Sequence, residues 1–124
     1  MWTTSDRESG AALVEFALVL SLLVMLVFGI VEFGRAYNAQ VTLTHATREG
    51  ARVLAITGDR DAAAAATVDA AASLDPTAMI VTVGSCAPGA QAEVSASFPL
   101  YYDIPFVGAS TLNLTSTSVM RCGG

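Results

Sequence analysis

Three sets of residues in this chain are candidates for chemistry: a carboxylate, Glu15, five residues past Gly10 in an otherwise apolar run; a pair of thiols, Cys86 and Cys122; and one imidazole, His45. A carboxylate within a bilayer costs on the order of 2.5–3.5 kcal/mol at the centre and less near an end, so its default reading is functional, with a partner. Set only one turn into the run, it could also snorkel toward the headgroups without any role. The spacing to Gly10 suggests the partner. A chain cut after Gly10 would begin with the free amine of Ala11 and carry Glu15 as its fifth residue, amine and carboxylate at opposite ends of the first helical turn. In a bundle of such helices the carboxylate of one subunit can pair with the terminal amine of its neighbour, and that pair would set the axial register between them. The two cysteines suit one disulfide if their half of the chain is exported, and free thiols if it is cytoplasmic. His45 has no second histidine and no CxxC pair to complete a metal site. With no phosphate loop, nucleophile elbow or convergent nucleophile and base, the chain reads as a non-enzyme without a cofactor.

These residues need elements to hold them. From Ala11 to Val31 Glu15 is the only ionisable group, and 21 residues at about 1.5 Å each span roughly 31 Å, the thickness of a bilayer's hydrocarbon. A secretory signal has a shorter apolar region and a small-x-small cleavage site, which the continuation VEFGRAYNAQ lacks. The reading is a spanning helix. Its helical pattern runs on to about residue 56: Phe33, Tyr37 and Val41 recur every four residues, and Ala36, Leu43, Ala46, Gly50, Ala51 and Leu54 fill an adjoining stripe. Gly58 is a natural residue to end it. Asp59 or Asp61 can cap a second helix, the alanine-rich DAAAAATVDAAASL, closed by Asp75-Pro76.

From Met79 the period changes to two. MIVTV, QAEVSASFP with Ala92, Val94, Ala96 and Phe98 on one face, and TLNLTSTSVMR with Leu112 and Leu114 on one face read as three strands. Joined by GSCAPGA and the longer LYYDIPFVGAS, they predict an antiparallel meander packed on the helices, an α+β fold. The first and third strands of a meander finish at the same end, where Cys86 and Cys122 fall. Tyr101, Tyr102, Pro105 and Phe106 in the longer connector are either a contact surface or buried under the strands.

Eleven acidic against six basic residues give a net charge of −5 with no basic run, which disfavours nucleic acid and anionic lipid surfaces as partners. Arg7 lies between Asp6 and Glu8 while Arg35, Arg48 and Arg52 follow the span, so the positive-inside rule slightly favours the reverse of an exported C-terminal half. The cysteine pair and the strands place that half outside.

The stretch GAALVEF, preceded by the short polar leader MWTTSDRESG, resembles the cleavage site of type IV pilin-like proteins. The longer run GAALVEFALVLSLLVMLVFGIVEFGRAY, followed by THATREGAR and ending with TSTSVMR, is similar to the TadE family of the tight-adherence (Flp-type) pilus system. The resemblance implies a minor pilin or pseudopilin with a leader at 1–10, a transmembrane helix at 11–31 and an extracytoplasmic α+β domain at 32–124. It implies that a prepilin peptidase cuts between Gly10 and Ala11, with Glu15 and the aromatic Phe16 beside it in the register position. The family's GxxEFGRA segment is matched by Gly29, Glu32, Phe33, Gly34, Arg35 and Ala36, and its AxREGAR turn by Ala46, Arg48, Glu49, Gly50, Ala51 and Arg52. The implied partners are membrane lipid, the peptidase, other pilin or pseudopilin subunits and the inner-membrane assembly platform. The implied location is a bacterial cytoplasmic membrane, crossed once with the N-terminus inside, or the pilus and cell surface beyond it. The chain departs from the family in its leader, whose acids flank Arg7, and from the major Flp pilins in its sizeable C-terminal domain, which implies a minor subunit. Two other readings stand beside this one: an uncleaved membrane-tethered binding module, and a small exported disulfide protein.

Overall fold

The computed structural model describes residues 4–123, so residues 1–3 of the expected leader and residue 124 of the expected C-terminal domain lie outside the described residues. The first element, α1 (Thr4–Thr57), is a single helix of 54 residues, about 80 Å long. It begins seven residues earlier than the apolar run. Nothing in TSDRES breaks a helix, and the roughly 1 kcal/mol that a glycine costs inside one does not interrupt it at Gly10.

α1 ends where a glycine permits it. Gly58 takes φ 67° and donates its N–H to the Leu54 carbonyl at 2.8 Å. Asp59 then caps α2 (Arg60–Ala70), its Oδ1 accepting from the N–H groups of Asp61 at 2.9 Å and Ala62 at 3.2 Å. The short connection folds α2 back on α1. α2 stops before the expected Leu74: Ala71 leaves helical geometry, and the turns that follow carry Leu74 into the core beside Ala71. Asp75 closes this turn by accepting from the Thr77 hydroxyl at 2.7 Å and the Thr77 N–H at 2.9 Å. Those two bonds, the hydroxyl's foremost, hold its pKa below the ordinary aspartate value.

Three strands complete the fold: β1 (Ile80–Val83), β2 (Gln91–Ile104) and β3 (Gly108–Arg121), antiparallel in the order β1-β2-β3. The α+β architecture read from the sequence is the one observed. The longer connector is not a loop, however. β2 and β3 pair from Gln91↔Arg121 to Ile104↔Gly108, so most of LYYDIPFVGAS is strand and only residues 105–107 turn. The aromatic and β-branched residues there favour a pleated surface, and Pro105 with Gly108 confines the turn to the tip.

One face of this sheet covers the distal half of α1. Leu43 and Ala46 pack with Leu74, Met79, Ala96, Leu100 and Leu114, and further along Ala51 and Leu54 pack with Ala63, Val83, Ala92 and Val94. Between the two clusters the inward face of β3 turns polar without being left unpaired. Buried Thr47 shares its hydroxyl with Ser116 at 3.1 Å and Ser118 at 2.9 Å and donates to the Thr44 carbonyl at 3.0 Å. The polar drift of TSTS is therefore a half-buried seam, with Ser116 and Ser118 facing Thr47 and Thr115 and Thr117 exposed. The other stripe of α1 is not a packing face: Phe33 is 74% and Tyr37 65% exposed, and Val41 is exposed beside them. Small residues admit a neighbouring backbone closely, so the sheet and the alanines of α2 settle on the alanine–glycine stripe and leave the bulky one outside.

Beyond β1 and β3, Cys86 and Cys122 are joined as a disulfide with their Cα atoms 5.7 Å apart. Alongside it, Cys122 N–H donates to the Ala90 carbonyl and Gly123 N–H to that of Ala55, both at 2.9 Å. The bridge thus ties the end of β3 to the connector before β2 and to the end of α1. It closes a separation of 36 residues, worth about 3–4 kcal/mol of loop entropy in the unfolded chain. Replacing both cysteines by serine should lower the stability of the sheet half by about that amount, measured as a shift in urea midpoint of the tyrosine near-UV signal.

Candidate functional site

The residues singled out by type and spacing all lie on α1, apart from the cysteines, and α1 spreads them over two environments. Its N-terminal half carries no buried residue among those described. Every residue from Thr4 to Leu23 is exposed, and the first fully buried residue of the helix is Ala39. Among the described residues α1 is the one helix long and apolar enough to cross a membrane, and its most apolar window is wholly unburied. A helix apolar on all sides belongs in a protein core or in hydrocarbon, and within this chain no core covers it.

Gly10, Ala11, Glu15 and Phe16 lie at the head of this apolar section, all exposed and all helical. Glu15 makes no salt bridge among the described residues. A Cβ on Gly10 would meet nothing within 4 Å, so contacts within the chain do not demand glycine there. The structure does not bring Glu15 near His45, about 45 Å farther along α1, or near the cysteines, which lie beside the far end of that helix.

The GxxEFGRA segment straddles the end of the apolar run. Arg35 donates to both carboxylate oxygens of Glu32, at 3.0 and 2.8 Å, one turn apart on the helix. Glu32 is the more enclosed partner, its side chain 14% exposed against 52% for Arg35. Phe33 and Gly34 are exposed, and nothing within the chain crowds Gly34. Farther along, Arg52 donates to Glu49 at 3.2 Å on the solvated side, a pair worth at most a few tenths of a kcal/mol. Arg48 is exposed.

Gly50 is different. It is buried where α1 crosses α2, and a Cβ there would overlap Thr67 Oγ1 and come within 3.3 Å of the Ala63 carbonyl oxygen. The AxREGAR turn therefore combines three solvated charges, Arg48, Glu49 and Arg52, with one glycine that α2 requires. Sequence reading placed Gly50 in a packing stripe; its partner Thr67, buried and donating to Ala63 O at 2.8 Å, was hidden in an alanine run that offers no contrast.

Nothing else converges. Among the described residues no group of three His, Cys, Asp or Glu side chains lies close enough to hold a metal ion. What the arrangement offers is a long unburied helix with a small domain packed on one side of its distal end.

Comparison with known proteins agrees with that division. The family model of TadE-like proteins matches residues 10–52, the segment from Gly10 through the AxREGAR turn, about a third of the chain. No curated protein and no solved structure matches significantly. The resemblance read from the sequence holds over this segment, and the sheet lies beyond it.

Gly50→Ala should destabilise the domain by about 1–3 kcal/mol through overpacking against Thr67, despite the better helix propensity of alanine. In a double-mutant cycle Thr67→Ala should recover most of that loss; additive effects would show that the two residues are not in contact.

Proposed function

We propose that this TadE-like chain is a minor pilin or pseudopilin of a tight-adherence pilus system, a structural subunit that aids pilus biogenesis and adhesion. In this reading the apolar part of α1 crosses the cytoplasmic membrane once, with the N-terminus inside and the sheet half outside. A prepilin peptidase removes residues 1–10, and Ala11 becomes the mature N-terminus. The subunit then joins other pilin-like helices at the inner-membrane assembly platform.

The observation that carries this reading is the bareness of α1 up to the domain. A helix exposed on every side from Thr4 to Leu23 lacks its packing partners within the chain, and its TadE-like segment begins at Gly10. In hydrocarbon, unpaired Glu15 would be costly, and the amine of Ala11 on a neighbouring subunit offsets that cost. The disulfide beyond the sheet suits an oxidising compartment outside the membrane.

One observation favours the second reading, an uncleaved tether. The Gly10–Ala11 bond lies inside continuous helix, and a peptidase requires the backbone there to open. Gly10 is the weakest helix former in that stretch, so local opening costs least at this point.

The mass of the protein recovered from cells that carry the assembly system separates the readings. A chain starting at Ala11 is expected; one starting at Met1 would make it a tether, and one starting beyond about residue 31 a released protein. Gly10→Val should block leader removal. Glu15→Leu should leave removal intact and lower incorporation into sheared pili by roughly an order of magnitude or more. Normal assembly of Glu15→Leu would end the register role.

A further inference from the structure

The β2–β3 hairpin runs along α1 toward the apolar section and overhangs its end. Ser118 bonds Thr47, the Thr115 carbonyl accepts from Gln40 Nε2 at 3.0 Å, and Leu112 shares a cavity with Phe33 and Ala36. Each three residues of β3 thus descend about 10 Å, as do seven residues of α1. At the foot of the hairpin Ile104 shares that same cavity with Gly29, two residues inside the apolar run that ends at Val31. The turn lies one step farther on, past the Glu32–Arg35 ion pair that marks the polar level of the helix.

The turn itself is built of Pro105, Phe106 and Val107. Val107 N–H donates to the Ile104 carbonyl at 3.1 Å, and Phe106 takes φ 68°, the arrangement of a type II turn with proline second and a positive φ third. Glycine is the residue that this third position favours, and a phenylalanine is strained there. Its ring contributes nothing to the core: Phe106 is 86% and Val107 61% exposed. The fold therefore makes no use of this strained, bulky, apolar residue at the tip.

We infer that the hairpin tip is a second membrane contact, with Phe106 and Val107 seated in the lipid headgroup–acyl boundary beside the span. The inference rests on the reading of α1 as a membrane helix. Lipid is the occupant because the tip is continuous in level with the apolar run, and aromatic residues concentrate at that interface. Asp103, exposed on the strand about 10 Å back from Phe106, remains in water when only the turn enters, which limits the depth to that of an interfacial contact. Anchored at two points, the sheet is held upright against the bilayer instead of turning freely about α1.

The test is fluorescence of the full chain in vesicles of neutral phosphatidylcholine at high lipid excess, with Trp2→Phe removing the native indole. One variant adds Phe106→Trp and another Leu22→Trp, and the vesicles carry bromine at either shallow or deep acyl positions. Phe106→Trp is expected to lose most of its emission to shallow bromines and little to deep ones, with Leu22→Trp quenched chiefly by deep ones. If Leu22→Trp is quenched and Phe106→Trp emits as a water-exposed indole, the tip contact is refuted and the span stands. If neither is quenched, the membrane reading of α1 fails and the contact fails with it. Should Phe106→Trp disturb the fold, seen as loss of the Cys86–Cys122 bridge, Val107→Trp reports the same depth and is decided by the same outcomes.

Discussion

Close approach at the small-residue face of α1 is the constraint on which the globular half depends. Ala39, Ala46, Gly50 and Ala51 present little beyond backbone, and α2 and the sheet can settle only where such residues recur. Alanine helices bury little area, so α2 contributes through proximity rather than bulk, with Thr67 filling the notch at Gly50. Leu43 and Leu54, both fully buried, supply the larger apolar area on either side of that crossing. The bulky residues Phe33 and Tyr37 are thereby turned outward.

This arrangement gives one helix two kinds of surface. Its first half is apolar on every side and suited to hydrocarbon, and its second half is apolar on one side and suited to a water-facing domain. The Glu32–Arg35 pair lies where the one surface gives way to the other. A polar seam of Thr47, Ser116 and Ser118 then fixes the height of β3 on α1, because the buried Thr47 hydroxyl must find partners while methyl groups could slide. That height decides where the hairpin tip ends relative to the apolar run.

Much of the candidate site was legible in the sequence because it is local. A carboxylate in an apolar run, a glycine five residues before it and charges three apart on a helix are all visible as spacing. The strands were legible as alternation, and the end of α1 as Gly58. The extent of the β2–β3 pairing was not, since Tyr101 to Ile104 read as an apolar connector until β3 is laid beside them. Thr67 was equally unreadable within a run of alanines.

By itself the sequence determined the apolar run with Glu15 near its head, the helix–helix–three-strand order and the pair of cysteines, because composition, periodicity and parity need no neighbours. The tertiary structure decided which stripe of α1 is buried, that Gly50 is required by Thr67, that the serines of β3 face inward, and that the hairpin reaches back to Gly29. Each of those is a choice between surfaces of similar local character. Only the packing of distant segments, through steric fit and the pairing of buried hydroxyls, makes it.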